Sequence, residues 1–387
     1  MAKYSASLPK RTGVAAIPLN SLPRGESNSA TVLPLASSTI KTALQESEVD
    51  AIIFFDGDPY GRKFANTVAF TALILFPDKT PIIIAHSIEK DHAESESELE
   101  IVEIKDTGEL TDTISHLLPR KREGPKTKVA IVPWKATFAE TKTLQELGYE
   151  IVDASEDIFP KCLKKPFPEE IDEIRRLSLI CDEGLAAAHN AVETGRREYE
   201  VAAEVDYAVK KLGVTEFNFP TMVASGYRAA FPHGWTSSKE IKKGDVVIVD
   251  IGPFLNSYDG CVCRTFMTDG GWKSMTDIVR EAIYNSLEII KNQETTSAAQ
   301  IDKIARETVR KGGYSNWPDM KTVWTGHPIG GFSSPIITPQ SEDEIEEDMV
   351  FTVEPGIYIK GKGGVRIEHH ILAKKHDYEI LDKYPQS

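Results

Sequence analysis

Asp250, His327, Glu354 and Glu368 are metal-ligating residue types set in ordered words of sequence: VVIVDIGPFLNSYDGCVCRTF, TGHPIGGF, MVFTVEPGIYI and GGVRIEHH. Three carboxylates and an imidazole converging on one point suit a divalent cation that activates water. Each acid lies at or near the end of an apolar, β-branched run, so each reads as a polar group carried by a strand toward one cleft. The same stretch holds Cys261, a softer ligand type among hard ones.

The local patterns say how these groups are presented. Val246–Val249 leads into Asp250, and Gly252-Pro253 is expected to break that strand. Asp259, Cys261 and Cys263 alternate with Gly260 and Val262, which in an extended strand puts all three on one face. Glu354 follows MVFTV and precedes Pro355-Gly356. Glu368 follows Val365-Arg366-Ile367, with Arg366 expected on the opposite face of the strand. His327 sits in a glycine-rich turn where backbone can approach a ligand closely. Singly, each has an ordinary explanation: an Asp before Gly-Pro is a turn residue, a Glu before Pro-Gly a solvated one, a lone histidine a structural one. The ordered series is what chance does not supply.

The rest of the chain must position them. At 387 residues there is room for two domains with separate cores. The composition, 41% hydrophobic and 27% charged, is that of a globular protein. A net charge of −14 repels phosphate backbones and argues against nucleic-acid binding. The apolar runs at 51–55 and 68–76 are too short to span a bilayer, and no membrane association is expected. MAKYSASLPKR lacks an apolar secretory region, and Cys162, Cys181, Cys261 and Cys263 make no disulfide framework, so a reduced, cytoplasmic setting is expected.

Residues 1–40, rich in Ser, Pro and Leu, read as an irregular arm. Strands are expected at Ala51–Phe55, Phe70–Phe76, Pro81–Ala85, Ile101–Ile104, Val129–Val132 and Glu150–Asp153. Pro77-Asp78-Lys79 reads as a hairpin connection, and the charged stretch Ile88–Glu100 as a solvated loop or short helix. An α/β domain over 1–162 and a second, α+β domain over 163–387 follow, with PKCLKKPFPEE as the linker between them. Ile171, Ile174, Leu177, Cys181, Leu185 and Ala188 then recur at helical spacing, closed by Gly195. Further helices are expected at 198–212, 275–292 and 298–311, and helix pairs before and after the Asp250 strands hint at a duplicated plan.

Residues 166–387, above all SGYRAAFPHGWTSSKEIKKGDVVIVDIG and MVFTVEPGIYIKGKGGVRIE, resemble the pita-bread family of metallopeptidases and relatives, closest to its prolidase and aminopeptidase P branch. The resemblance implies a C-terminal pita-bread domain and a smaller creatinase-type N-terminal α/β domain that helps build a homodimer. It implies a two-metal site of Asp, Asp, His, Glu and Glu, falling here on Asp250, Cys261, His327, Glu354 and Glu368. The triplet Arg264-Thr265-Phe266 fixes that register. His233 in FPHG falls on a histidine that assists substrate binding, and a further family histidine falls on Ser334.

Two departures therefore touch the chemistry. The aspartate replaced by Cys261 normally bridges both ions, so one divalent ion (Mn, Co, Zn or Fe) is expected rather than two, with a thiolate favouring zinc or ferrous iron over manganese. Asp259 could substitute only if the strand shifted by two residues, roughly 7 Å. Ser334 donates a hydrogen bond but carries no charge. The leading expectation is a metallohydrolase cleaving an amide C–N bond of an Xaa-Pro dipeptide or similar small substrate. In it Glu354 is ligand and proton acceptor, Glu368 a metal ligand, His233 catalytic and substrate-orienting, and Ser334 and Arg366 substrate-binding. The alternatives are a creatinase-like hydrolase working without metal and an inactive pita-bread binding protein.

Overall fold

The computed structural model describes residues 29–118, 121, 124–292, 295–314 and 323–385. They form two compact units, one of 29–171 with Gly331–Ser334, the other of Asp172–Gly330 with Pro335–Ser387. Among the described residues no helix is long and apolar enough to cross a membrane. The four cysteines are free thiols.

The first unit is built on strands β1 (Ala51–Phe55), β2 (Ala72–Leu75), β3 (Ile82–His86), β4 (Glu100–Ile104), β5 (Lys128–Ile131) and β6 (Glu150–Asp153). They lie in the order β4-β3-β2-β1-β5-β6. The β1–β2 and β2–β3 pairs are antiparallel, the other three parallel. All six fall on the expected runs, and Pro77-Asp78-Lys79 does join antiparallel neighbours. Period-two geometry explains why AIIFF is apolar throughout: Ile52 and Phe54 enter one core, Ala51, Ile53 and Phe55 the other. Helix Lys90–Glu96 occupies the charged stretch after β3.

One expectation fails here. Residues 29–40 are not irregular: a helix spans Ser29–Glu46, and Ile40, Ala43 and Leu44 lock it into the core at helical spacing. The Ser- and Pro-rich composition hid an apolar stripe lying past Pro34. The earlier part of that proposed arm, 1–28, lies outside the described residues.

The second unit centres on β8 (Val246–Leu255), flanked by β7 (Glu216–Ser225) and β10 (Val262–Met267), all antiparallel, with β9 (Tyr258–Asp259) on its end. Val247, Val249 and Ile251 face helices Pro168–Ala191 and Glu198–Lys210, while Val246 and Ile248 face helices Lys273–Asn292 and Ala298–Lys311. After β11 (Thr296–Ser297) and β12 (Glu344–Ile345) come β13 (Val350–Val353), the hairpin β14 (Gly356–Ile359) and β15 (Gly363–Arg366), then β16 (His369–Lys374) and β17 (Asp377–Ile380). β13-β16-β17 is a second antiparallel sheet. The first helix pair is thus followed by a four-stranded antiparallel sheet and the second by a three-stranded one, in line with the duplicated plan hinted at by the sequence.

Two boundaries differ from expectation. The helix from Pro168 stops at Ala191, and Gly195 lies in the turn beyond it at φ +94°. Gly252-Pro253 does not break β8, which runs on to Leu255. Pro253 lacks a donor for the ladder, but β7 is irregular there, with register shifts between Phe217, Phe219 and Met222, so no pairing amide is needed.

Candidate metal centre

Asp250 is therefore mid-strand, with its carboxylate on the Val246–Ile248 side of β8. Its antiparallel partner is Cys263 on β10, so the two share a face of the sheet. β9 and β10 pair with β8 in one unbroken register, and the Gly260 amide between them donates to the Pro253 carbonyl. Asp259 therefore keeps the face it was expected to share with Cys261 and Cys263, two residues further from the cluster. It pairs with Phe254, and its carboxylate accepts from Asn218 at 3.4 Å. Cys261 stays inward: Sγ is 3.4 Å from Glu368 Oε2 and 3.7 Å from Asp250 Oδ1.

His327 is placed by a short ladder along β13. The Thr352 amide donates to the His327 carbonyl (2.7 Å), the His327 amide to Thr352 Oγ1 (3.2 Å) and the Glu354 amide to the Thr325 carbonyl (2.7 Å). Gly326 permits that approach, because a Cβ there would sit 2.0 Å from the Thr352 carbonyl oxygen. Gly326→Ala should push the histidine segment off β13, costing about 1–3 kcal/mol of stability and weakening metal retention; urea unfolding and metal titration check it.

His327 Nδ1 faces the Pro328 carbonyl at 2.8 Å and must donate, which makes Nε2 the nitrogen that faces the acids and would bind a cation on losing its proton. Nε2 lies 3.5 Å from Glu368 Oε1 and 3.8 Å from Glu354 Oε1. Two ligands on one tetrahedral ion stand about 3.4–3.6 Å apart, given metal bonds of about 2.0–2.3 Å. The contacts around Cys261, His327 and Glu368 are of that size, and their ligating atoms all lie within 4.8 Å of one another.

Glu368 is fully buried between β15 and β16, its amide bonded to the Cys263 carbonyl. Its Oε1 is buried without a hydrogen-bond partner among the described residues. An orphaned carboxylate oxygen is costly unless a cation completes it, so the donor set fits a metal. Arg366, expected on the far face, points into the cluster: residues two apart on a strand share a side. It pairs with Asp250, lies 4.0 Å from Glu354 Oε2, and donates to the Pro232 carbonyl (2.8 Å) and the Tyr358 hydroxyl (3.3 Å).

Electrostatics agree with the geometry. Burial, opposed by Arg366 and aided by Glu368, raises the Asp250 carboxyl; burial and then Glu368 raise Glu354. Burial alone would lower His327, but the close pairing with Glu368 and the charge of Glu354 lift it to about 10. Burial and the charges of Glu368 and Asp250 push the Cys261 thiol well up, which makes it a poor free nucleophile. Around a bound cation, Asp250, Glu354 and Glu368 would stand as carboxylates against Arg366, a net −2 before the Cys261 sulfur is counted.

His233 is exposed on the loop whose Pro232 carbonyl Arg366 holds, beside Trp235 at 6.4 Å between rings. Burial and then the Arg366 charge lower its pKa. Ser334 falls in the short segment grouped with the first unit; it is buried, and its hydroxyl has no hydrogen-bond partner among the described residues.

The sequence reading missed the residues that hold the ligands. The Cys261 amide donates to His370 Nε2 at 2.9 Å, and His370 Nδ1 meets Ser178 Oγ at 2.7 Å, whose hydroxyl donates to the Ile174 carbonyl. Burial keeps His370 neutral, with a pKa of about 4. Fully buried Arg264 donates to the Cys263 and Glu368 carbonyls and pairs with Asp382 at 2.5 Å, which also accepts from His369. The available signal was parity: His370 stands two residues after Glu368 and so shares its face.

A family model for metallopeptidase family M24 matches residues 172–375. The Xaa-Pro dipeptidase of Pyrococcus furiosus is 33% identical over 301 residues, covering 76% of this chain and 82% of the relative. The solved prolidase of that organism superposes with a TM-score of 0.76 at 28% identity, over 89% of this chain and 99% of the other. An X-Pro aminopeptidase from Thermotoga maritima gives 0.73 at 25% identity, over 89% and 99%. The expected pita-bread fold with a smaller α/β N-terminal part is the one found, and this chain belongs to metallopeptidase family M24.

Proposed function

We propose that the protein hydrolyses the amide C–N bond of an Xaa-Pro dipeptide or a similarly small substrate, with one divalent cation held by Asp250, Cys261, His327, Glu354 and Glu368. The observation that carries this reading is the buried Glu368 Oε1, without a hydrogen bond and 3.5 Å from His327 Nε2 beside two further carboxylates. The M24 match and relatives named as Xaa-Pro dipeptidases support the choice of bond. A cation bound there would supply Lewis acidity, polarising the scissile carbonyl and lowering the pKa of a water.

The chain's own groups divide the remaining work. Asp250 and Glu368, both buried, hold negative charge where the cation belongs. Glu354 keeps 14% of its side chain exposed, and its raised pKa suits it to take the proton of the attacking water and hand it to the leaving nitrogen. His233, kept neutral, can hydrogen-bond the substrate without repelling its positive amino end. Arg366 spends its nitrogens on Asp250, Pro232 and Tyr358, so its part is positioning rather than substrate contact. The free cysteines fit a reducing, cytoplasmic setting, and the family's habit favours a homodimer.

The test is a substrate panel: Xaa-Pro dipeptides, matched Xaa-Ala dipeptides, Xaa-Pro-Yaa tripeptides and creatine, each with Mn, Co, Zn and Fe(II) supplied separately. Cleavage confined to the Xaa-Pro dipeptides is the expected result. No turnover of any Xaa-Pro substrate with any of the four ions would sink the reading.

A further inference from the structure

We propose that Cys261 is itself a metal ligand, and that Cys261 Sγ, His327 Nε2 and Glu368 hold a single thiophilic divalent cation in preference to manganese. This rests on the reading of the cluster as a one-cation site that includes Cys261, and deepens it by naming the three closest ligands and the metal choice that the sulfur imposes.

Three independent observations point the same way. The sulfur lies 3.4 Å from Glu368 Oε2, and the ligating atoms of Cys261, His327 and Glu368 form a group within 4.8 Å. Glu368 Oε1, fully buried, has no hydrogen-bond partner among the described residues, so the thiol does not complete the carboxylate. The sulfur's direction is also imposed: the Cys261 amide is fixed on His370 Nε2, and His370 on Ser178.

The chemistry follows from the donor atoms. A carboxylate offers two oxygens and can serve two ions at once, whereas a thiolate here offers one atom, already turned toward Glu368. The second position therefore lacks the two-oxygen bridge that a carboxylate at 261 would supply. Thiolate and imidazole favour zinc, cobalt or ferrous iron, while manganese prefers oxygen ligands. When the ligand–metal bonds form, the Cys261 thiol proton and any proton on His327 Nε2 pass to solvent, and nothing is oxidised or reduced.

Cobalt(II) is the probe. Metal-stripped full-length protein, titrated with cobalt(II) under anaerobic conditions, should bind one ion per chain and develop a sulfur-to-cobalt charge-transfer band in the near ultraviolet. That band should vanish in Cys261→Ser and persist in Cys263→Ser. Competition between zinc and manganese is the second arm: Cys261→Asp should shift preference toward manganese by at least ~10-fold, the lower end of what even an outer-sphere partner costs in affinity, and raise the stoichiometry toward two. Cobalt bound at one per chain without the band, or an unchanged zinc-to-manganese ratio in Cys261→Asp, overturns the proposal. The wild-type spectrum decides the matter even if a variant fails to fold. Manganese-supported Xaa-Pro cleavage with no sulfur band would defeat this inference alone, whereas no metal binding at all would defeat the functional reading as well.

Discussion

Glu368→Gln is expected to lower kcat/KM on an Xaa-Pro dipeptide by on the order of 10³-fold, well beyond the ~10–100-fold that an outer-sphere partner costs. The substitution keeps shape and backbone bonds: the amide still reaches the Cys263 carbonyl, and Arg264 still reaches the residue's own carbonyl. What it removes is one carboxylate charge from the set around the cation, including the oxygen without a hydrogen bond. Without metal, the variant should still fold cooperatively, since shape, packing and these backbone bonds are kept. Calorimetric metal titration, kinetics and urea unfolding of the metal-free proteins read all three effects. A variant that is unstable yet binds metal normally would mean that Glu368 is a structural acid.

Arg264→Ala should cost about 3–5 kcal/mol of stability, the usual penalty for stranding one partner of a buried ion pair. Arg264 and Asp382 are both fully buried, and Arg264 also holds the carbonyl of Glu368, so metal affinity should fall together with stability. Replacing both partners, Arg264→Met with Asp382→Leu, should recover part of the loss, because no lone charge then remains inside. Burial alone would raise the Asp382 carboxyl, but the charges of His369 and Arg264 hold it far below its usual value. A depressed carboxyl gives stability that is present above its unfolded pKa of about 4 and lost as pH falls below it. Urea midpoints at neutral and acidic pH should thus converge for Asp382→Asn and the parent as pH drops; a constant difference would count against the pair.

Most of the fold was readable because its cause is local. AIIFF and its neighbours are apolar on both faces, since a core lies on each side of the sheet, and helices such as Ala298–Lys311 declare themselves by spacing. Helix Ser29–Glu46 escaped because three residues, Ile40, Ala43 and Leu44, carry its packing within a polar composition. β8 was cut short at Gly252-Pro253 because the compensating irregularity lies on β7, a different stretch of chain. The ligand series was legible as words, but its support was not. His370 meets Ser178 across 192 residues and the Cys261 amide across 109, and Arg264 meets Asp382 across 118. No local pattern announces such pairs. Arg366 is a different case, since strand periodicity alone places it beside Glu368 and Asp250.

Release of free proline from an Xaa-Pro dipeptide, measured on the same sample before chelation, after chelation and after adding back one metal at a time, tests the account most directly. Turnover should disappear with the chelator and return with zinc, cobalt or ferrous iron at about one ion per chain. Hydrolysis that survives complete metal removal, or none at any stage, would contradict it.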